Sequence, residues 1–154
     1  MTAPRSGARR TLAELSVPSE PGNERRAMEE VVGAVSNLGL PKRTLERLKT
    51  AVAEATMNAM EHGNHYRVEL PVIIEVAASD AELSVKITDE GSGPPAFDSE
   101  TPDLAAKLEG VQTPRGWGLF LIKSMVDEMN VTGDEHHHTI ELILHLDGQT
   151  EGGT

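Results

Sequence analysis

Three observations in the chain predict an α+β fold. Two early segments, at about 23–38 and 41–62, carry apolar residues at helical spacing. Two later runs, Val72–Ala77 and Glu82–Thr88, favour strands and are joined by Ser79-Asp80, the pattern of an antiparallel hairpin. A further helix then begins near Gly116 and is followed by strand-like runs at 131–132 and at Thr139–Leu146. The full length of 154 residues suits one domain with a real core and is short for two.

Residues 1–10 are rich in Ala, Arg, Gly, Ser and Pro and read as a loose tail, with the domain expected over 11–147 and a second tail over 148–154. Thr11 to Val17 places Leu12, Leu15 and Val17 in an imperfect alternation, a first strand that ends at Pro18. Asn23 is a candidate N-cap for the first helix, whose buried side should hold Met28, Val31, Val32 and Val35, with Gly39 ending it. Pro41 suits the start of the second helix and Gly63 its end. In that helix Leu45, Leu48, Val52, Ala55 and Ala59 form the main apolar stripe, and Ala53, Met57 and Met60 fill another sector. Glu54, Asn58 and Glu61 form a polar stripe between packed sides, as residues facing a cleft would. On the second hairpin strand Leu83, Val85 and Ile87 share a face, and period two carries Asp89 to that same side. A carboxylate entering a core edge needs a partner, although a plain turn aspartate before glycine is the simpler alternative. The connection from Pro94 to Pro114, with a short helical stretch near Leu104–Leu108, has the length of a functional lid or a disordered segment. The helix that follows carries Leu119, Ile122, Val126 and Met129, and the last strand puts Ile140, Leu142, Leu144 and Leu146 on one face.

Hydrophobic residues make up 38% of the chain and aromatics only 3%, so aliphatic side chains must fill the interior. The net charge of −11 opposes a nucleic-acid backbone, and DNA and RNA are excluded as main partners. No window is long and apolar enough for a membrane span, and the N-terminus lacks the apolar segment of a signal peptide. With no cysteine as well, a cytoplasmic location is the expectation.

The chemistry concentrates in three motifs. Glu54 and Asn58 are four residues apart on one helix and can face one ligand. Asp89-Glu90-Gly91-Ser92-Gly93 and Arg115-Gly116-Trp117-Gly118-Leu119 are glycine-rich loops downstream of that helix. A carboxylate and an amide on one helix face, followed by two such loops, are the parts of a nucleotide-phosphate site, because backbone amides and one metal ion can hold phosphate despite the global charge. His136-His137-His138 invites a metal reading, but consecutive residues point in different directions and rarely chelate one ion.

The ordered set Glu-x-x-x-Asn, Asp-x-Gly-x-Gly and Arg-Gly-x-Gly-Leu resembles the Bergerat, or GHKL, ATP-binding fold. More narrowly, the chain resembles the small anti-sigma-factor serine kinases of bacteria, over about residues 11–147. The resemblance implies a two-layer sandwich in which a mixed, mostly antiparallel sheet is covered by helices on one face. It implies ATP and Mg²⁺ as cofactors, with Asn58 coordinating Mg²⁺ and Glu54 acting as general base. Asp89 would accept a hydrogen bond from the adenine amino group, and Gly91 and Gly93 would let the backbone pass close to the base. Gly116 and Gly118 would offer amides to the phosphates, Arg115 would reach the γ-phosphate, and Leu119 completes that box. His62, Gly63 and Trp117 are further candidate ATP contacts. Trp117 fits packing beside the phosphate loop better than recognition, and His62 and Asn64 fit an approach to the phosphates and helix-end capping equally well.

The segment after Asp89, with Gly93-Pro94-Pro95 and Phe97-Asp98, also resembles kinase-like domains linked to serine phosphatases of the same regulatory systems. The resemblance implies an ATP-dependent protein-serine kinase and anti-sigma factor. Its partners would be a sigma factor and a STAS-type anti-anti-sigma protein, the latter phosphorylated on serine, and the kinase would be a homodimer. The competing reading is an ATP-binding regulatory module that sequesters a partner with little or no phosphotransfer. Glu54 favours the first, since a pure binder has no use for a base.

Overall fold

The computed structural model describes residues 9–91 and 114–146. In chain order these form β1 (Arg10–Val17), α1 (Asn23–Ala34), a 3₁₀ turn (Ser36–Leu38), α2 (Lys42–Asn58), a π turn (Ala59–Gly63), β2 (Val72–Ala78), β3 (Glu82–Asp89), α3 (Pro114–Met125), β4 (Glu128–Gly133) and β5 (His138–His145). The five strands lie in the order β1-β2-β3-β5-β4. All four pairings are antiparallel. The fold is therefore α+β as the sequence predicts, and no parallel pair occurs among the described residues.

Alternation along the strands decides which face is covered. Val72, Ile74, Val76 and Ala78 on β2, Leu83, Val85 and Ile87 on β3, and Leu142 and Leu144 on β5 are buried on one side. The helices supply the opposing layer with Ala27, Val31 and Val35 from α1, Leu48, Ala51, Val52 and Ala55 from α2, and Ile122 from α3. Each fully buried Leu, Ile or Val contributes roughly 1.5–3 kcal/mol over an exposed one, so this single seam supplies most of the drive to fold. α2 sits in the middle of the layer, with α1 packed on one flank and α3 on the other. That position explains why its sequence is apolar on more than one side. Thr44, Ala51 and Thr56 are also buried on α2, outside the stripe that the helical period picks out.

The other face of the sheet is polar. Glu14, Glu75, Lys86, Thr88, Thr139 and Glu141 line a groove of about 410 Å³ there, with Ile73 among them. Arg9 crosses the edge of this face to reach Glu82 at 2.8 Å and Glu141 at 3.2 Å. Ser84 donates to the same Glu141 carboxylate at 2.7 Å.

Several boundaries differ from the sequence expectation. The first helix stops at Ala34 rather than near Leu38, because the chain tightens into the 3₁₀ turn before Gly39 takes a left-handed φ of 65°. Gly22, not Asn23, holds the N-cap position of α1, and Asn23 Nδ2 instead donates to Pro18 O at 2.9 Å. Val32 is only half-buried, while Ala27 is fully buried in its place. The helical segment ending at Gly63 is α only to Asn58 and widens into a π turn after it. The fourth strand spans Glu128–Gly133, longer than the 131–132 pair suggests.

Candidate functional site

Glu54 and Asn58 lie one turn apart on the last turns of α2, both half-buried. Burial pushes the Glu54 carboxyl up from its ordinary range, and the nearby negative charge of Glu24 on α1 pushes it the same way. Asn58 Nδ2 is buried with no hydrogen-bond partner among the described residues, an unusual state for an amide. A neutral, hard oxygen is the donor that Mg²⁺ accepts alongside phosphate oxygens and water, so Asn58 fits such an ion. Glu61 of the same stripe is exposed, and His62 pairs with it at 3.5 Å.

The π turn connects this helix face to the end of β3. Asn64 N donates to Ala59 O at 2.9 Å and Tyr66 N to Met60 O at 2.7 Å, closing turns wider than α. His65 and Tyr66 follow with φ of 52° and 56°, a left-handed pair of the strained kind that clusters at functional sites. Gly63 is buried directly against the Asp89 carboxylate, and a β-carbon at position 63 would overlap it. Gly63 thus serves by having no side chain. Asn64 is completely buried. Its Nδ2 donates to Ser19 Oγ at 2.9 Å, Leu70 O at 2.9 Å and Pro71 O at 3.2 Å. Its Oδ1 accepts from Glu90 N at 2.7 Å. Open in the sequence between a phosphate approach and a helix-end cap, Asn64 instead ties the end of β3 to the π turn and to the segments at Ser19 and Leu70–Pro71.

Asp89 is 7% exposed, on the helix side of the sheet, where period two puts it. Burial pushes its carboxyl up, opposed by the Gly91 amide and by His138 and His137. Gly91 N donates to Oδ1 at 2.8 Å, and His138 Nδ1 stands 3.3 Å from the same oxygen. Both described partners meet Oδ1, leaving Oδ2 without one among the described residues. A β-carbon at Gly91 would lie 2.7 Å from His138 Nδ1 and 2.9 Å from Asp89 Oδ1, so close approach requires glycine here too.

α3 begins at Pro114 and carries Arg115, Gly116, Trp117 and Gly118 in its first turn and a half, packed beside α2. The first backbone amides of this helix have no intrahelical acceptor, as at any helix start. Leu119 is half-buried against the core. Arg47 of α2 donates to Met125 O at 3.1 Å and fastens the far end of α3. Gly93, the connection of residues 94–113 and the side chains of Arg115 and Trp117 lie outside the described residues. The three histidines diverge: His136 and His137 donate backbone N–H to Asp134 at 2.8 Å each, while His138 turns to Asp89.

A helix with a carboxylate and an amide one turn apart, a buried aspartate over a glycine, and a second helix packed beside the first are set in an α+β domain with a five-stranded antiparallel sheet. The family model of the histidine kinase-like ATPase domain matches residues 17–144, and the chain belongs to that family. Within it the likeness is to the anti-sigma-factor kinases. The chain is 29% identical to the serine-protein kinase RsbW of Bacillus subtilis, covering 88% of this chain and 86% of that one. It is also 29% identical to the anti-sigma F factor of Oceanobacillus iheyensis, covering 76% and 80%. Among solved structures, the SiaB–SiaC complex of Pseudomonas aeruginosa shares the fold at a TM-score of 0.57 and 12% identity, covering 88% of this chain and 90% of that one. The RsbU and RsbW domains of a Mycobacterium tuberculosis protein share it at 0.62 and 15% identity. This chain covers 31% of that one, and 86% of its own length is aligned. Among the described residues no helix is long and apolar enough to cross a membrane.

Proposed function

We propose that the chain is a Mg-ATP-dependent protein-serine kinase that acts as an anti-sigma factor, phosphorylating a serine on a small STAS-type anti-anti-sigma protein and exchanging that protein for a sigma factor. What supports the reading is that Glu54 and Asn58 share a face of α2, which packs beside α3 and runs on into the turn whose Gly63 lies against Asp89. Relatives named as serine-protein kinases and as an anti-sigma factor, aligned over most of their length, support it.

In this reading Asp89 Oδ2 accepts the adenine amino group, and the amides at the start of α3 hold phosphate oxygens. Asn58 would hold Mg²⁺ through its amide oxygen, and the ion when bound neutralises charge on the phosphates. The substrate serine Oγ forms a bond to the γ-phosphorus as the bond to the β–γ bridging oxygen breaks, and ADP leaves with the electron pair. Glu54 accepts the hydroxyl proton, a task helped by a carboxyl raised above its ordinary range. Nucleotide state and substrate phosphorylation then bias which partner is held, because coupling between sites is reciprocal. The active form is taken to be a homodimer.

The test mixes the pure protein with ATP labelled at the γ-phosphate, Mg²⁺ and a STAS-domain protein. Label on serine that disappears in Glu54→Ala, with ATP binding retained, supports the kinase. ATP binding without transfer to any STAS partner points to a sequestering module instead, and equal loss of binding and transfer in Glu54→Ala refutes its role as base.

A further inference from the structure

His138 occupies a place that no motif of the sequence assigns. It starts β5, and the β3–β5 register sets it directly opposite Asp89. Its side chain is 15% exposed and that of Asp89 10%, so the pair is largely withdrawn from water. The backbone of Gly91 closes on the same Nδ1 edge of the ring that meets Asp89, leaving no room even for a methyl group there.

We propose that His138 is a positioning residue that sets purine selectivity, by holding Asp89 Oδ1 and keeping that carboxylate a pure acceptor aimed through Oδ2 at an exocyclic amino group. The proposal rests on the reading of Asp89 as the adenine acceptor. Nδ1 stands 3.3 Å from Oδ1, where an imidazole N–H can donate to the carboxylate. The consequence is one of hydrogen-bond polarity. An ionised Asp89 accepts from the 6-amino group of adenine and repels the 6-oxo group of guanine; a protonated one donates and loses that discrimination. Burial favours the protonated form, and two donors oppose it, the Gly91 amide and His138. The other ionisable groups on the surrounding elements are His137 beside His138, Glu90 next to Asp89, and Glu61 and His62 on the π turn.

The test measures ATP and GTP binding at equilibrium, from pH 5.5 to 8.5, for wild type, His138→Phe and His138→Asn. Phe keeps a ring against Gly91 and removes the donor, whereas Asn restores an amide N–H near the position of Nδ1. The expected result is an ATP/GTP affinity ratio lowered about 10-fold or more in His138→Phe, the loss of one hydrogen bond to a charged group. The pH at which acid abolishes ATP binding should move upward in that variant, and His138→Asn should restore both readouts. If the Phe variant does not fold, His138→Leu takes its place. An unchanged ratio and pH profile in the deletion variant overturns the proposal, as does an equal loss in His138→Asn, which would mark packing alone. Asp89→Asn is measured alongside: if it binds ATP as wild type does, the adenine assignment itself fails, whatever His138 does.

Discussion

Removal of the Asn64 side chain tests how the nucleotide pocket is braced. Asn64 makes four hydrogen bonds from a completely buried position, three as donor and one as acceptor. In Asn64→Ala, Leu70 O keeps its bond from Ser19 Oγ at 2.6 Å, but Ser19 Oγ loses its donor, and Pro71 O and Glu90 N lose the partner described for them. At about 1 kcal/mol net for each of three bonds lost without replacement, the cost is roughly 3 kcal/mol. For a domain of this size that lowers Tm by roughly 6–12 °C. Urea unfolding gives the free energy directly, and an unchanged m-value shows that the native fold is retained. Asn64→Asp separates polarity from volume. It keeps the acceptor for Glu90 N but sets a carboxylate oxygen against Ser19 Oγ and the carbonyls of Leu70 and Pro71. Its folded-state pKa must therefore rise above the unfolded value, since only the protonated acid can donate. The stability of that variant is retained below the unfolded carboxylate pKa and declines as pH rises through the folded one. A cost below 0.5 kcal/mol for Asn64→Ala, or stability of Asn64→Asp that climbs with pH, would refute the brace.

Two further substitutions probe the pocket. Gly63→Ala drives a methyl group into the Asp89 carboxylate, so ATP affinity should fall at least about 10-fold with about 1–3 kcal/mol lost from stability; calorimetric titration at wild-type affinity would contradict the close contact. Asn58→Ala should weaken nucleotide binding in Mg²⁺ while leaving metal-free binding little changed, and a Mg²⁺ dependence equal to wild type would count against Asn58 as the ligand.

Much of this site is legible in the sequence because short-range periodicity determines it. The helical repeat puts Glu54 and Asn58 on one face, and strand alternation puts Asp89 on the core side of β3. What alternation cannot supply is register between strands. His138 reads as one of three histidines until β3 and β5 are paired residue by residue, and only then does it stand opposite Asp89. Asn64 escapes for a related reason, since its partners Ser19, Leu70, Pro71 and Glu90 are brought together by tertiary folding. From the sequence, Asn64 beside a helix-ending glycine reads as a phosphate contact or a cap, and neither reading names those partners.

The π turn is where the two halves of the site are joined. In a continued α-helix, five residues advance 500°, which would leave position 63 about 140° around the axis from Asn58. The wider turn, closed by the bond from Asn64 N to Ala59 O, advances less per residue and swings Gly63 back toward the face of Asn58. The same segment can then present Asn58 on one turn and lay the bare backbone of Gly63 on Asp89 at the next. An α continuation would keep its regular hydrogen bonds but carry Gly63 away from the aspartate. The left-handed pair His65 and Tyr66 costs about 1–2 kcal/mol per residue and is the strained exit from this widened turn. Asn64, buried between turn and exit, is the residue whose four bonds offset that strain, so pocket geometry and local stability depend on one side chain.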